Sequence, residues 1–402
     1  MRIDADWIWT GAGDLVPGSL EIEDGKVAGI ADPRPNADGA RRLMLPGLVN
    51  AHVHLDLTWP PEDRKLSIPF TDWLFSVRDE RIARGPEGLA KAAAGGVARL
   101  KADGTTLVVD YDSCDVSGPA LADSGLKRVL LKEVIAFRPD DAPSVPALTA
   151  YLRGATSPLE KRGLAPHAPY TVHPEVLARL VEVAGRVGAP WSMHVGEQRF
   201  EEEFLRAKRG EYARFFKRAK VDIEAFPTRS EGAIVSLDHA GFLNDRPLLV
   251  HVNYLGGDPR GNAQRLAAAK ASVVFCPRSH RFFGHTRHPL KTLLDAGVEV
   301  ALGTDGMLSN GRLSILHEMK EVRRAFRDLP AERIVRMGTI AGHRALGRIF
   351  GNGKLVEGNA ADVALFEIAE EPSDPLEALL SAPARCVGAW VNGEGTFNPA
   401  VA

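Results

Sequence analysis

The sequence predicts an α/β protein: a (β/α)8 barrel with a small β-sandwich built from both chain ends. Three observations predict it. Apolar strand-like runs alternate with helix-like stretches through the middle of the chain, the pattern of a parallel sheet with crossover helices. Counting the run at 47–53, there are eight such strands, the number that closes a barrel. Short strands with tight turns lie at both ends, outside that alternation.

In chain order, residues 1–45 hold Trp7-Ile-Trp9, then Ser19-Leu-Glu-Ile-Glu23, Asp24-Gly25 and Lys26-Val-Ala-Gly-Ile30. An Asp-Gly pair between two alternating runs predicts a hairpin. The barrel strands are expected at 47–53, 105–110, 128–135, 162–167, 190–195, 247–252, 271–276 and 298–303. Between them, 173–188 places Val176, Leu177, Leu180, Ala184 and Val187 on one stripe, which predicts a helix. The tail reads as strands at 362–368 and 386–392 followed by Asn392-Gly393, and its pairing with the N-terminal strands is expected to make the sandwich. The domain reading is therefore 1–46 plus 354–402 for the sandwich and 47–353 for the barrel. Residues 198–230 are charged and carry Phe200, Phe204, Tyr212, Phe215 and Phe216. Two readings stay open there, a solvated helical excursion and a lid over the barrel mouth.

Composition narrows the class. The 402 residues are 45% hydrophobic and 25% charged, with a net charge of −2. That is ordinary for a globular protein and offers no electrostatic case for nucleic acid or an anionic membrane. No apolar run reaches the roughly 18 residues that span a bilayer. The first residues carry no apolar signal core. Cys114, Cys276 and Cys386 are scattered and odd in number, which argues against a disulfide framework and for the cytoplasm. A small-molecule substrate is expected, and a homodimer is the base-rate expectation for assembly.

The chemistry is concentrated at the strand ends. His52-Val53-His54 ends the first predicted barrel strand, and period-two alternation puts both imidazoles on one side. His167 ends the fourth strand, His194 with Glu197 the fifth, His251 the sixth and Thr304-Asp305 the eighth. Barrel enzymes gather functional residues at these ends. Buried polar groups there cost free energy unless they are paired or ligated.

This pattern resembles the amidohydrolase superfamily, in the branch that holds cytosine, guanine and S-adenosylhomocysteine deaminases. The resemblance runs from Leu45-Pro-Gly-Leu-Val-Asn-Ala-His-Val-His54 through Pro166-His-Ala-Pro-Tyr170, His194-x-x-Glu197 and Gly303-Thr-Asp305. It closes with Gly353-Lys-Leu-Val-Glu-Gly-Asn-Ala-Ala-Asp-Val-Ala-Leu-Phe366. It implies that His52, His54, His194 and Asp305 bind one divalent metal, zinc with iron as the alternative. It further implies that Glu197 shuttles protons, that His251 orients the attacking water and that His167 contacts the substrate ring, with Asp305 serving both metal and catalysis. Three imidazoles and a carboxylate suit such an ion, which brings the pKa of a water toward about 7. A hydroxide generated in this way would attack the amino-bearing carbon and release ammonia. The spacing of His194 and Glu197 does not fit one strand face, so the strand is expected to end at 194–195 and turn Glu197 back over the metal.

The stretch Arg162–Pro166 holds no lysine to carbamylate, which favours one metal over the two of dihydroorotase-like amide hydrolysis. Cys276-Pro277 lacks the second cysteine of the unrelated zinc deaminases. Three places depart from the branch pattern. Tyr254 stands where relatives carry a second histidine, Cys276-Pro-Arg-Ser-His280 replaces CPxSN, and Thr304-Asp-Gly306 replaces TDS. The strand-seven loop, with Arg278, Ser279, His280, Arg281, Phe282 and Phe283, is expected to bind substrate, its arginines reading a carboxylate. That points to an acidic 6-aminopurine nucleoside such as aminodeoxyfutalosine of menaquinone biosynthesis, with S-adenosylhomocysteine and methylthioadenosine as rivals. The alternatives in other classes are a hydrolase with another leaving group, chloride or a ring amide, and a non-catalytic scaffold of the same fold.

Overall fold

The computed structural model describes residues 1–13, 15–34, 39–59, 69–223, 226, 228, 231–369 and 372–397. Parts of the expected terminal unit (14, 35–38, 370–371, 398–402) and of the 198–230 stretch (224, 225, 227, 229, 230) lie outside the described residues.

Eight parallel strands form the middle: β1 Leu48–Val53, β2 Thr105–Asp112, β3 Lys127–Val134, β4 Glu160–Pro166, β5 Ser192–Val195, β6 Leu248–His251, β7 Ser272–Phe275 and β8 Glu299–Leu302. Their ladders run β1-β2-β3-β4 and β5-β6-β7-β8. Parallel bridges Leu164–Trp191 and Val53–Asp305 join the two halves, so the ring closes. Each strand is almost wholly buried, which is why it reads as an apolar run rather than an alternation. Leu107, Val109 and Tyr111 of β2 share a core with Val129, Leu131, Ala165, Val250, Val274 and Ala301. Strands from all round the ring can meet only inside it, so these side chains fill the barrel.

The helix expected at 173–188 spans Pro174–Val187. Proline occupies its first turn, the His173 ring accepts from Glu175 N–H, and Gly188 ends it at φ +66°. At the chain ends, Glu394–Phe397, Arg385–Val391 and Val363–Ile368 form one sheet with Arg41–Pro46, Trp7–Trp9 and Leu15–Val16. A second sheet holds Arg2–Asp4, Ser19–Glu23 and Lys26–Ala31. Ile3, Leu20, Ile22 and Val27 of the latter share a core with Ile8, Met44, Val363 and Leu365 of the former, which makes the pair a sandwich.

Helices cover the end of the barrel where the strands finish. Helix α1, Phe70–Ala102, breaks at Gly85 (φ +61°) just before Pro86. Its first turns meet α2, Glu201–Ala207, and α3, Gly210–Arg218. Phe70 and Trp73 pack there with Phe204, Tyr212 and Phe216. The described part of the 198–230 stretch is thus a helical cover with its aromatics turned inward. Helix α4, Pro277–Phe282, follows β7, and α5, Ile315–Ala325, packs beside it. Among the described residues, no helix is long and apolar enough to cross a membrane.

Candidate metal centre

His52 is fully buried at the end of β1, and neither ring nitrogen has a hydrogen-bond partner. Its ring lies 4.9 Å from that of His54, 5.0 Å from His194 and 5.7 Å from His251. Its Nε2 is 3.5 Å from Asp305 Oδ1, and His54 Nε2 is 3.9 Å from the same oxygen. The outer nitrogens are committed. His54 Nδ1 donates to the Tyr111 carbonyl at 3.2 Å, and His194 Nδ1 to the His167 carbonyl at 2.9 Å. That fixes both tautomers with Nε2 free as a lone-pair donor. Asp305 Oδ2 accepts the Ser279 and Ser309 hydroxyls at 2.7 Å each, which leaves Oδ1 for the centre.

Electrostatics hold the set in its ligand forms. Burial, with His52 beside it, keeps His54 well below its usual range, and burial with His52 and His167 takes His194 down to about 3. Asp305 would be raised by burial, but His52, His251 and His54 hold it well below the carboxylate range. Neutral imidazoles around an ionised carboxylate are what a divalent cation requires. Together with the orphaned nitrogens of His52, these residues fit a metal of the zinc or iron kind.

The backbone is bent to deliver these groups. His251 (φ +69°) and Asp305 (φ +59°) both stand in the left-handed region, a strain of order 1 kcal/mol each that surrounding bonds must hold. His288 Nε2 donates to the His251 carbonyl at 2.9 Å, its ring stacked on Phe275. Asn50 bonds the Thr304 hydroxyl and amide.

Strand β5 ends at Val195, and Gly196 (φ +61°) turns the chain. Glu197 Oε1 comes to 3.7 Å from His251 Nε2. Burial, then Asp305 and Glu201, push Glu197 well above the usual range, while burial keeps His251 well below its own, with His194 and His52 opposing the pull of Asp305. A β-carbon on Gly196 would stand 2.3 Å from the Tyr254 carbonyl oxygen. Gly196→Ala is therefore expected to destabilise the fold by about 1–3 kcal/mol and to cut turnover by displacing Glu197. Denaturant melts beside kcat check it; a variant with wild-type values in both would show the turn to be tolerant.

His167 sits at the same rim, its ring 5.0 Å from His194. Thr171 gives its hydroxyl hydrogen to the Ala168 carbonyl, so His167 Nδ1 donates to Thr171 Oγ1 at 2.7 Å and Nε2 is left free.

The strand-seven segment differs from expectation. It is a helix, α4, and its arginines are bound elsewhere. Arg278 Nε and Nη2 go to Asn310 at 2.7 and 2.8 Å, beside the buried Glu318 carboxylate of α5. Arg281 pairs with Glu321 at 3.0 Å. A guanidinium already facing a carboxylate is a poor receptor for a second one, which weighs against the anion pocket expected of these two. Ser279 supports Asp305, and His280 Nδ1 donates to Asn253 Oδ1 at 2.9 Å. Of the segment's predicted substrate residues, Phe282 and Phe283 line a large cavity.

That cavity, of about 910 Å³, lies under α1–α3 and is walled by Phe70, Trp73, Phe200, Phe282 and Phe283. Gln198, the residue after Glu197, and Tyr254, three residues after His251, also line it; Arg199 and Arg214 are the arginines on its wall. Sequence reasoning passed over Ser309, Asn253 and Glu133, which carry or surround this centre.

The model of the amidohydrolase family matches residues 43–397. A 5-methylthioadenosine/S-adenosylhomocysteine deaminase of Pyrococcus furiosus is 29% identical, over 90% of this chain and 85% of that protein. An aminodeoxyfutalosine deaminase of Deinococcus radiodurans is 30% identical, over 86% and 85%. A zinc-bound adenosine deaminase of Xanthomonas campestris superposes with a TM-score of 0.81 at 24% identity, over 99% of this chain and 92% of that one. This last likeness speaks to the fold.

Proposed function

The chain belongs to the amidohydrolase family and is a metal-dependent hydrolytic deaminase, and on that premise we propose that it deaminates a 6-aminopurine nucleoside bearing a bulky 5′ substituent. The observation that carries the reading is the aromatic-walled cavity that Gln198, the neighbour of Glu197, helps to line. Its 910 Å³ stands near the top of the roughly 300–1,000 Å³ range of pockets for drug-sized ligands, more than a bare base requires.

In this reading His52, His54, His194 and Asp305 hold one divalent ion, zinc ahead of iron. When bound, such an ion acidifies a water and polarises its oxygen. The protein's own groups do the rest. Glu197 takes one proton of the water at its carboxylate and passes it to the ring nitrogen beside the amino-bearing carbon, then takes the proton left on the newly attached hydroxyl and passes it to the departing amine. A carbon–oxygen bond forms, the carbon–nitrogen bond breaks, and ammonia leaves. His251 Nε2, next to Glu197, orients the water. His167 Nε2 faces the ring, and Phe70, Trp73 and Phe283 wall the substituent. The barrel unit, 47–353, would carry this chemistry, with 1–46 and 354–402 as its supporting sandwich.

The acidic substrate aminodeoxyfutalosine stays within the class. Arg199 is the cavity cation left to meet its carboxylate, since Arg214 already pairs with Glu211. The test is ammonia release from adenosine, 5′-methylthioadenosine, S-adenosylhomocysteine, aminodeoxyfutalosine, adenine, guanine and cytosine, on protein of measured metal content. The 5′-substituted nucleosides are expected to exceed adenosine in kcat/KM by about 10-fold or more, the worth of one well-buried apolar group. Bare bases turned over as well as nucleosides would overturn the reading.

A further inference from the structure

A second cavity, of about 420 Å³, is lined by Glu202 of α2 and by Leu255, Gly256 and Gly257 after β6. Gln198, Arg199 and Tyr254 line both this cavity and the large one, so the two adjoin there. Tyr254 is tied to the turn that carries Glu197: its N–H donates to the Gly196 carbonyl at 3.0 Å. This is the position where relatives carry a second histidine.

Most charges around the shared wall are committed. Arg214 pairs with Glu211, Arg206 with Glu202 and His239 with Glu231. Arg287 lies over the Phe326 ring, 5.0 Å away. Among the described residues, Arg199 makes no ion pair, and Glu203 of the large cavity has no cation. The Tyr254 hydroxyl and His285 Nδ1 are 3.2 Å apart. Burial, with His280 beside it, takes His285 down to about 4, so its ring is neutral and has one N–H. His285 Nε2 is buried without a partner. A buried lone pair left unmet is a smaller loss than a buried N–H, so the hydrogen belongs on Nδ1. His285 Nδ1 therefore donates to Tyr254 Oη, and the phenolic hydrogen is left for another acceptor.

We propose, on the deaminase reading above, that Tyr254 and Arg199 bind a carboxylate on the 5′ substituent and make the enzyme selective for acidic nucleosides. A carboxylate accepts both bonds, and each is charge-assisted. A neutral thioether matches neither donor. Glu203, four residues after Arg199, can meet an ammonium group, so an amino acid and a simple acid are both sources of that carboxylate.

The test measures ammonia release from 5′-methylthioadenosine, S-adenosylhomocysteine and aminodeoxyfutalosine in metal-loaded wild type, Tyr254→Phe and Arg199→Ala. In wild type at least one of the two acids is expected to exceed methylthioadenosine in kcat/KM by about 10-fold or more. The acid that leads names the source. Its ratio to methylthioadenosine is expected to fall about 10-fold in Tyr254→Phe and about 30-fold in Arg199→Ala, each the worth of a hydrogen bond to a charged group. His285→Phe, which frees the hydroxyl to turn away, is expected to lower the ratio by a smaller factor, through KM rather than kcat. A ratio unchanged in both Tyr254→Phe and Arg199→Ala overturns the proposal, as does a loss of turnover common to all three substrates. A wild type that takes methylthioadenosine as well as either acid overturns it too, with the deaminase reading left standing. One that releases no ammonia from any nucleoside overturns that reading as well.

Discussion

Glu197→Gln is expected to lower kcat for ammonia release by about 10³-fold while leaving fold and metal content at wild-type values. Several contacts place this carboxylate. Glu201 accepts from the Gly196 and Glu197 amides at 2.9 and 3.3 Å, which clamps the turn after β5. Asn253 donates to the Glu197 carbonyl at 3.1 Å and is itself fixed by His280. The side chain is thus brought over the centre beside His251 without ligating anything in the protein. Glutamine keeps the size and removes the group that carries the proton. It also ends the repulsion between a carboxylate here and those of Asp305 and Glu201, so the variant should melt no lower than wild type. Residual turnover within tenfold of wild type would remove Glu197 from proton transfer; loss of metal would place it among the ligands instead.

Most of the barrel and much of the centre could be read from sequence for one physical reason. Parallel strands buried on both faces are continuous apolar runs, and a histidine or aspartate at the end of such a run stands out. His52, His54, His194, His251 and Asp305 were all visible in this way, and the structure brings them together. Positions decided by packing between distant elements were not. Nothing near Arg278 or Arg281 in the sequence shows that Asn310 and, on α5, Glu321 hold the two guanidiniums. Glu133 was hidden because its predicted strand ran on to Ile135; ending the strand at Val134 brings the glutamate to the rim. The spacing of Phe200 with Phe204, and of Tyr212 with Phe216, marks one helix face each. What those faces cover depends on the first turns of α1, well over a hundred residues away in the chain.

Removing the metal is expected to cost both activity and stability, and His52 shows why. Its ring is packed 4.1 Å from Tyr111 and close to three other imidazoles, with no hydrogen bond at either nitrogen. Without an ion, its buried N–H and lone pair are both uncompensated, a cost of about 1–3 kcal/mol. An ion that binds only the folded chain stabilises it by about 4 kcal/mol at a thousandfold excess over Kd. Chelator-treated protein should therefore melt lower and release no ammonia, and added zinc should restore both. In His52→Ala neither is expected to return. Ser309→Ala removes only one of the two hydroxyls on Asp305 Oδ2. That variant should still take up metal, with affinity weakened about 10- to 100-fold, the usual effect of losing a group that supports a ligand. A melting temperature indifferent to chelator, with activity intact, would separate these histidines from metal binding altogether. The ordering of the two variants is the sharper criterion, because a general packing defect at the barrel mouth would not rank a ligand above its support.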